Sequence, residues 1–345
     1  MRGEPSPAWD SGNNTIWEEY TDIAFVVANS LILLITSVVG IAANAFVILA
    51  VYHQKSLQTS NNALVVNLAV IDILRCVIDC PILLTIVVTV YQREHVDELI
   101  CNTQVASFSF SCCIQMLTLA CISAERYQAI AQPFKTSQRR RRIMVLIPVT
   151  WILAIAVAVF CLIYLKDSPV HVRCKGLWRE TSSSYDTFGL YMLFPLWAAC
   201  FGVIIGFYAR IFALVRSHNR KIFDKEATKQ NAEVEGAVCM MPSKASKERA
   251  NKKKESKMAK RAGYIIITFL LFWLPLITTI LVNFVVHKNK NTQITTMRDV
   301  EILSVSVACI TSLSDPIIYA AVNPQFRTEF YRLKNRVKSV FNEKL

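Results

Sequence analysis

The 345-residue chain is 53% hydrophobic with a mean hydropathy of +0.37, more apolar than a soluble protein of two or three domains would be. Its net charge of +13 raises the question of nucleic acid, but 27 of the 38 Lys and Arg fall on one alternating set of tails and loops, 9 on the other, and Arg75 and Arg210 inside apolar runs. That asymmetry is the positive-inside bias of a membrane protein: the basic face is read as cytoplasmic, nucleic-acid binding is disfavoured, and membrane lipid is the medium.

Residues 1–22 are polar and acidic, with no basic start followed by a short apolar core, so no cleaved leader is expected. Asn13-Asn14-Thr15 is an N-glycosylation triplet, which suits an outer tail. Apolar runs of about 20 residues or more, enough to cross roughly 30 Å of hydrocarbon, then recur. They lie near 23–51, 63–91, 101–134, 143–165, 187–215, 262–286 and 299–322. Seven spans put the termini on opposite sides, with the amino terminus outside and the protein expected in the plasma membrane. The expected fold is therefore an all-α, seven-transmembrane helix bundle, 23–322. Inner loop 3, about 216–255, is basic and read as flexible, turning helical toward the sixth span. In 323–345, Phe326, Phe330, Leu333, Val337 and Phe341 repeat at helical spacing among Arg and Lys, the pattern of a short amphipathic C-terminal helix in the inner interface.

Eleven cysteines divide by location. Cys76, Cys80, Cys112, Cys113, Cys121, Cys200 and Cys309 fall within apolar segments, as small hydrophobes. Cys101 and Cys174 fall on the oxidising side. No zinc-like Cys/His spacing occurs.

Polar residues inside the spans are costly and mark function or paired structure. Asn44, Asp72, Arg75 and Asp79 are of this kind. The last three stand at spacings of three and four on one helix face. They form either a self-satisfied ion triad or a partly freed Arg75 that meets an acidic ligand group. Pro275 and Pro316 lack the N–H a helix needs and weaken the sixth and seventh spans.

Six features occur in order: Asn44, Leu68-Ala69-x-x-Asp72, Glu125-Arg126-Tyr127, Trp151, Phe269 with Trp273 and Pro275, and Asp315-Pro316-x-x-Tyr319. Together they resemble the rhodopsin-like (class A) G-protein-coupled receptors over nearly the whole chain. The resemblance implies a receptor, not an enzyme, that transmits an outer or membrane-borne ligand signal, or basal activity, to a heterotrimeric G protein by outward swing of the sixth helix. Arrestin and receptor kinases would be later partners. It implies a switch at Glu125, Arg126, Tyr127, Phe134, Tyr208 and Tyr319, with Glu255, twenty residues before Pro275, reaching Arg126 at rest. Glu255 is otherwise one solvated charge in a Lys-rich stretch. It further implies a hinge of Phe269, Trp273, Pro275, Asp315 and Pro316, and a Cys101–Cys174 disulfide.

The family's sodium ion would sit at Asp72, with Asn44, Ser312 and Asp315 as companions. Gln115 stands where serine is usual and Thr311 where asparagine is common, and a long amide could fill the ion's space. No other cofactor is implied. The aspartate of amine receptors is here Phe108, eighteen residues before Arg126, which disfavours a biogenic amine. The retinal-binding lysine of light sensors is here Cys309, seven residues before Pro316, which excludes an opsin. Phe108, Cys112, Trp273, Leu276, Ile277, Ile280 and Val305 would line a mostly apolar pocket, with Ser109, Arg75, Asp79 and Glu301 as polar handles. A lipid, a small acidic or amphipathic molecule, or a peptide end would suit it. The fifth helix departs from the pattern: Cys200 falls at the proline position and Pro195 five residues early, so its register stays open. The rival reading is a small transporter or channel, whose inverted repeat of broken spans is not seen.

Overall fold

Where hydrocarbon replaces water, backbone polar groups must be satisfied within the segment, so each apolar run becomes a helix. The computed structural model describes residues 8–92, 94–132, 136–164, 170, 174, 187–233, 244–288, 294–322, 326–329, 331–332 and 335, with side chains over most of the spans. Among these residues seven helices are long and apolar enough to cross a membrane, and no strand occurs.

Helix α1 is Ala8–His53. Helix α2 joins Ser60–Leu74, a π-helical stretch Arg75–Asp79 and Cys80–Tyr91. Helix α3 is Glu98–Ala131 and α4 is Thr136–Tyr164. Helix α5 opens with a π-helical stretch, Gly189–Leu193, and continues as Phe194–Glu233. Helix α6 is Lys244–Lys288, and α7 comprises Ile294–Cys309 and Thr311–Val322 on either side of a turn at Ile310. A short helical stretch, 326–329, follows.

Several ends differ from the sequence reading. Helix α1 runs over the acidic stretch taken as a tail, and α5 and α6 run into the inner loop. Extending a nucleated helix is cheap, and the Lys, Glu and Ala of these stretches are good helix formers. At the start of α3, Asp97 accepts the N–H of Leu99 at 2.8 Å, an N-cap.

Position in the bundle follows composition. The most apolar 18 residues of α3 are 67% buried and those of α7 61%, against 22% for α4 and α5. Helix α3 is thus the central rod, and α4 and α5 present Ile152, Phe160, Val203 and Ile205 to lipid. Because lipid is as apolar as leucine, packing and interhelical polar bonds hold such bundles together. Trp151 Nε1 donates to Asn67 Oδ1 at 2.9 Å, and Asn67 Nδ2 to Thr118 Oγ1 at 3.2 Å, joining α4, α2 and α3. Ser306 donates to Asn29 at 2.6 Å, joining α7 to α1. At Gly40 an added Cβ would lie 2.5 Å from Cys76 Sγ, so a larger residue at this approach of α1 and α2 would force the thiol to move.

Pro316 cannot donate to the carbonyl of Ser312, four residues earlier. That carbonyl accepts Asn44 Nδ2 at 2.7 Å instead, and the same amide reaches Gly40 O at 3.0 Å. The proline's missing bond is thereby replaced by one that ties α7 to α1.

Candidate functional site

Taking the basic side as inner, the functional residues fall at four depths. At the inner boundary Glu125 and Arg126 are buried near the end of α3. Arg126 Nε lies 3.5 Å from one Glu125 oxygen, and Arg139 Nε of α4 lies 3.4 Å from the other. Glu125 is therefore shared between two guanidinium groups. Arg139 was not singled out in the sequence; it lay in a run of four arginines whose only visible signal was topology. Tyr127 packs on Phe207 with ring centroids 5.6 Å apart, and Tyr208 lies against Gly263 of α6. Phe134 lies outside the described residues. Glu255 and Tyr319 lie on described helices, but their side chains are outside the description.

In mid-membrane the α2 carboxylates and guanidinium meet α3 and α7. Arg75 is 1% exposed. Its Nη1 donates to Gln115 Oε1 and, at 3.3 Å, to Thr311 Oγ1. Its Nη2 lies 3.6 Å from Cys112 Sγ, and its Nε 3.7 Å from Asp79. Gln115 Nε2 donates to Asp72 Oδ1 at 3.2 Å and to Thr311 Oγ1 at 3.3 Å. Within the π-helical turn of α2, Arg75, Cys76 and Asp79 are the buried residues. Ser111 donates to Asp79, a partner the sequence gave no reason to expect. The triad is thus a three-helix network with Gln115 at its centre.

Asp72, Ser312 and Asp315 lie together and are buried. Among the described residues, Asp72 Oδ2, Ser312 Oγ and both Asp315 oxygens have no hydrogen-bond partner. Asp72, Asp79 and Asp315 set three carboxylates against the one guanidinium of Arg75, so protons or a mobile cation must make up the balance. The orphaned oxygens fit a hard cation such as sodium. Gln115 adds no ligand, since its oxygen faces Arg75 and its amide donates to Asp72. Asn44 likewise donates, to the Ser312 carbonyl.

Above this layer Trp273 and Phe269 are wholly buried and stack with centroids 5.0 Å apart. Phe201 lies 5.7 Å from Phe269, and Trp197 4.8 Å from Phe201, continuing the row into α5. Phe201, next to Cys200, is thus the α5 residue that packs on Phe269. Pro275 lies within α6 and Pro316 within α7.

Nearest the outer end is a small cavity of about 20 Å³ whose described lining is Gln104, Val105, Phe108, Val170, Phe188, Leu193, Leu276, Ile280, Glu301 and Val305. Phe108, Leu276, Ile280, Glu301 and Val305 were expected there. Arg75, Asp79, Ser109, Cys112 and Ile277 are buried in the bundle and are not among the lining residues. Gln104, Val105, Val170, Phe188 and Leu193 were missed, the last three because only folding brings the second outer loop and α5 to α3. The Cys101–Cys174 disulfide, closing 73 residues of chain, fixes that loop beside the cavity.

Seven spanning helices packed about one of their number, the buried α3, with an arginine–carboxylate pair at one end and a small cavity at the other, are the arrangement of a seven-helix membrane receptor. Residues 43–319 match the model of the 7 transmembrane receptor (rhodopsin family), and the chain belongs to that family. It is 29% identical over 307 residues to the blue-sensitive opsin of Apis mellifera, covering 87% of this chain and 75% of the opsin. To trace amine-associated receptor 4 of Mus musculus it is 26% identical over 311 residues, covering 88% of this chain and 83% of the receptor. To the melanopsin of Branchiostoma belcheri it is 27% identical over 294 residues, 84% of this chain but 39% of that protein. The chain spans 55 to 57% of two other melanopsins it matches.

Proposed function

We propose that the chain is a plasma-membrane receptor, amino terminus outside, that activates a heterotrimeric G protein when α6 swings outward. The observation that carries this reading is Arg126, buried at the inner end of the central helix and held 3.5 Å from Glu125. A pair so shielded should exceed the roughly 0–1 kcal/mol of a surface salt bridge, enough to bias a two-state equilibrium without locking it. When α6 moves, Arg126, Phe134, Tyr208 and Tyr319 would face the G protein, and later arrestin or a receptor kinase. No covalent chemistry is part of the proposal. Cys309 in place of a lysine argues against a retinal-binding role, and Phe108 in place of an aspartate against amine recognition in the usual manner, although light sensors and amine receptors are among its relatives.

The deciding experiment is guanine-nucleotide exchange in membranes carrying the chain and a panel of G proteins, read without ligand and after Glu255→Ala. Exchange above control supports the receptor, and solute flux without exchange supports a transporter. At equal surface expression Glu255→Ala is expected to raise basal exchange, and an unchanged rate removes Glu255 from the switch. For the mid-membrane layer, Asp72, Ser312 and Asp315 would hold a sodium ion together with water, stabilising the closed bundle. Thermal unfolding in sodium against N-methylglucamine chloride tests this.

A further inference from the structure

The inner end of α4 carries more positive charge than the bundle uses. Arg139 is taken up by Glu125, but among the described residues no carboxylate lies within ion-pair distance of Arg140, Arg141 or Arg142. By sequence the neighbouring inner links add cations and no acid: 54–62 holds Lys55, and 133–136 holds Lys135. Arg141 and Arg142 line a groove of about 560 Å³ between α3 and α4, together with Gln128, Gln138, Val145 and Leu146. That size falls within the roughly 300–1,000 Å³ of small-molecule sites. Arg142 Nη1 donates to Gln128 Oε1, which holds one guanidinium in place, whereas Arg141 is exposed and Arg140 does not line the groove. Positions 138, 141, 142 and 145 stand three and four apart and so share one face of α4. Along that face the side chains change from polar to apolar, and exposed Val145, Val149 and Ile152 continue it down the lipid-facing side of the helix.

We propose that this groove binds an acidic phospholipid of the inner leaflet. Its phosphate lies between the Arg141 and Arg142 guanidinium groups, the Gln138 amide donates to a phosphate oxygen, and an acyl chain lies along Val145, Val149 and Ile152. Guanidinium forks pair with phosphate oxygens two at a time, and the cytoplasmic leaflet is the one rich in anionic lipid. A soluble phosphate would leave the apolar end of the groove wet, and an acidic protein segment would make no use of a stripe that faces hydrocarbon. A lipid fills both ends at once. Arg139, which holds Glu125, stands on the same turn of α4, so the lipid would steady the helix end from which the Glu125–Arg126 pair is gripped. The inference rests on the membrane topology and is independent of G-protein coupling.

The test is native mass spectrometry of the purified full chain in detergent, titrated with phosphatidic acid, phosphatidylinositol 4-phosphate and phosphatidylcholine. The first acidic lipid is expected to bind about tenfold or more tighter than phosphatidylcholine. Arg141→Gln and Arg142→Gln should each weaken it about fivefold. Arg140→Gln, the same change of charge in the same run but off the groove, should weaken it less than about twofold. Val145→Trp, which fills the apolar end, should weaken it without touching a charge. No preference over phosphatidylcholine, undiminished binding in the Arg141→Gln/Arg142→Gln double variant, or an equal loss in Arg140→Gln overturns the proposal. Competition by glycerol 1-phosphate at the concentration of the lipid would make the ligand a soluble anion and overturns it too. So does a lack of lipid preference combined with lowered nucleotide exchange in the arginine variants, which would assign these side chains to a protein partner. Should Arg142→Gln fail to fold, Arg141→Gln against Arg140→Gln decides. Exchange without lipid preference sinks this inference alone, and lipid binding without exchange sinks the receptor reading alone.

Discussion

Gln115 Nε2 donates to Asp72 at 3.2 Å, and the other face of the same amide accepts from Arg75. One neutral side chain therefore bridges a buried carboxylate and a buried guanidinium. Gln115→Leu keeps the bulk and removes the bridge, leaving two charged groups short of a partner. The expected loss is about 1–3 kcal/mol, visible as a lower Tm in detergent. Gln115→Ser instead opens space beside Asp72 and should increase the difference in Tm between sodium and N-methylglucamine. An unaltered sodium response in Gln115→Ser would show that the amide does not limit the ion.

Arg75→Ala removes the guanidinium around which Asp79, Gln115 and Thr311 are arranged. Breaking a buried pair from one side costs about 3–5 kcal/mol, so surface expression should fall sharply. Normal expression with a lost ligand response would give Arg75 a recognition role instead.

At the inner boundary the shared carboxylate gives two predictions of opposite sign. Glu125→Gln weakens the hold on Arg126 and should raise basal exchange. Arg139→Ala leaves Glu125 to Arg126 alone and should lower it, by up to about fivefold, the equivalent of roughly 1 kcal/mol. Exchange measured at matched expression distinguishes this from Arg139 acting as part of the clasp, in which case the rate would rise.

Gly40→Ala forces a methyl carbon to within 2.5 Å of Cys76 Sγ and should destabilise the bundle. Removing the sulfur with Cys76→Ala leaves the nearest atoms 3.8 Å away or more. The double variant should recover most of the stability lost in Gly40→Ala, a coupling of about 0.5–3 kcal/mol in a double-mutant cycle. Additive losses would show that the approach of α1 to α2 is set elsewhere.

How much was legible depended on the scale of the signal. The spans could be read because hydrocarbon imposes one requirement on twenty residues at a time, and seven spanning helices stand where the apolar runs do. The helical extensions into 8–22 and 216–233 could not, since nothing in their polarity distinguishes a solvated loop from a solvated helix. At the site, Asp72 and Arg75 announced themselves as charges in an apolar run. Their arrangement did not: the π-helical turn at Arg75–Asp79 and the insertion of Gln115 are choices made in packing, invisible to spacing. Glu301 was legible as a polar handle, but its company was not, because Gln104, Asn283 and the cavity walls come from separate helices.

The turn at Ile310 divides the seventh helix into two rods, Ile294–Cys309 and Thr311–Val322. The outer rod bears Glu301 and the inner one Asp315 and Pro316. A push on the outer rod need not travel along an unbroken axis: it can pivot at the elbow and reappear as a sideways displacement of the inner rod, whose Ser312 carbonyl is moored to Asn44. On the receptor reading, the outer and inner parts of α7 would then move about an elbow two residues from the Ser312 carbonyl that Asn44 ties to α1.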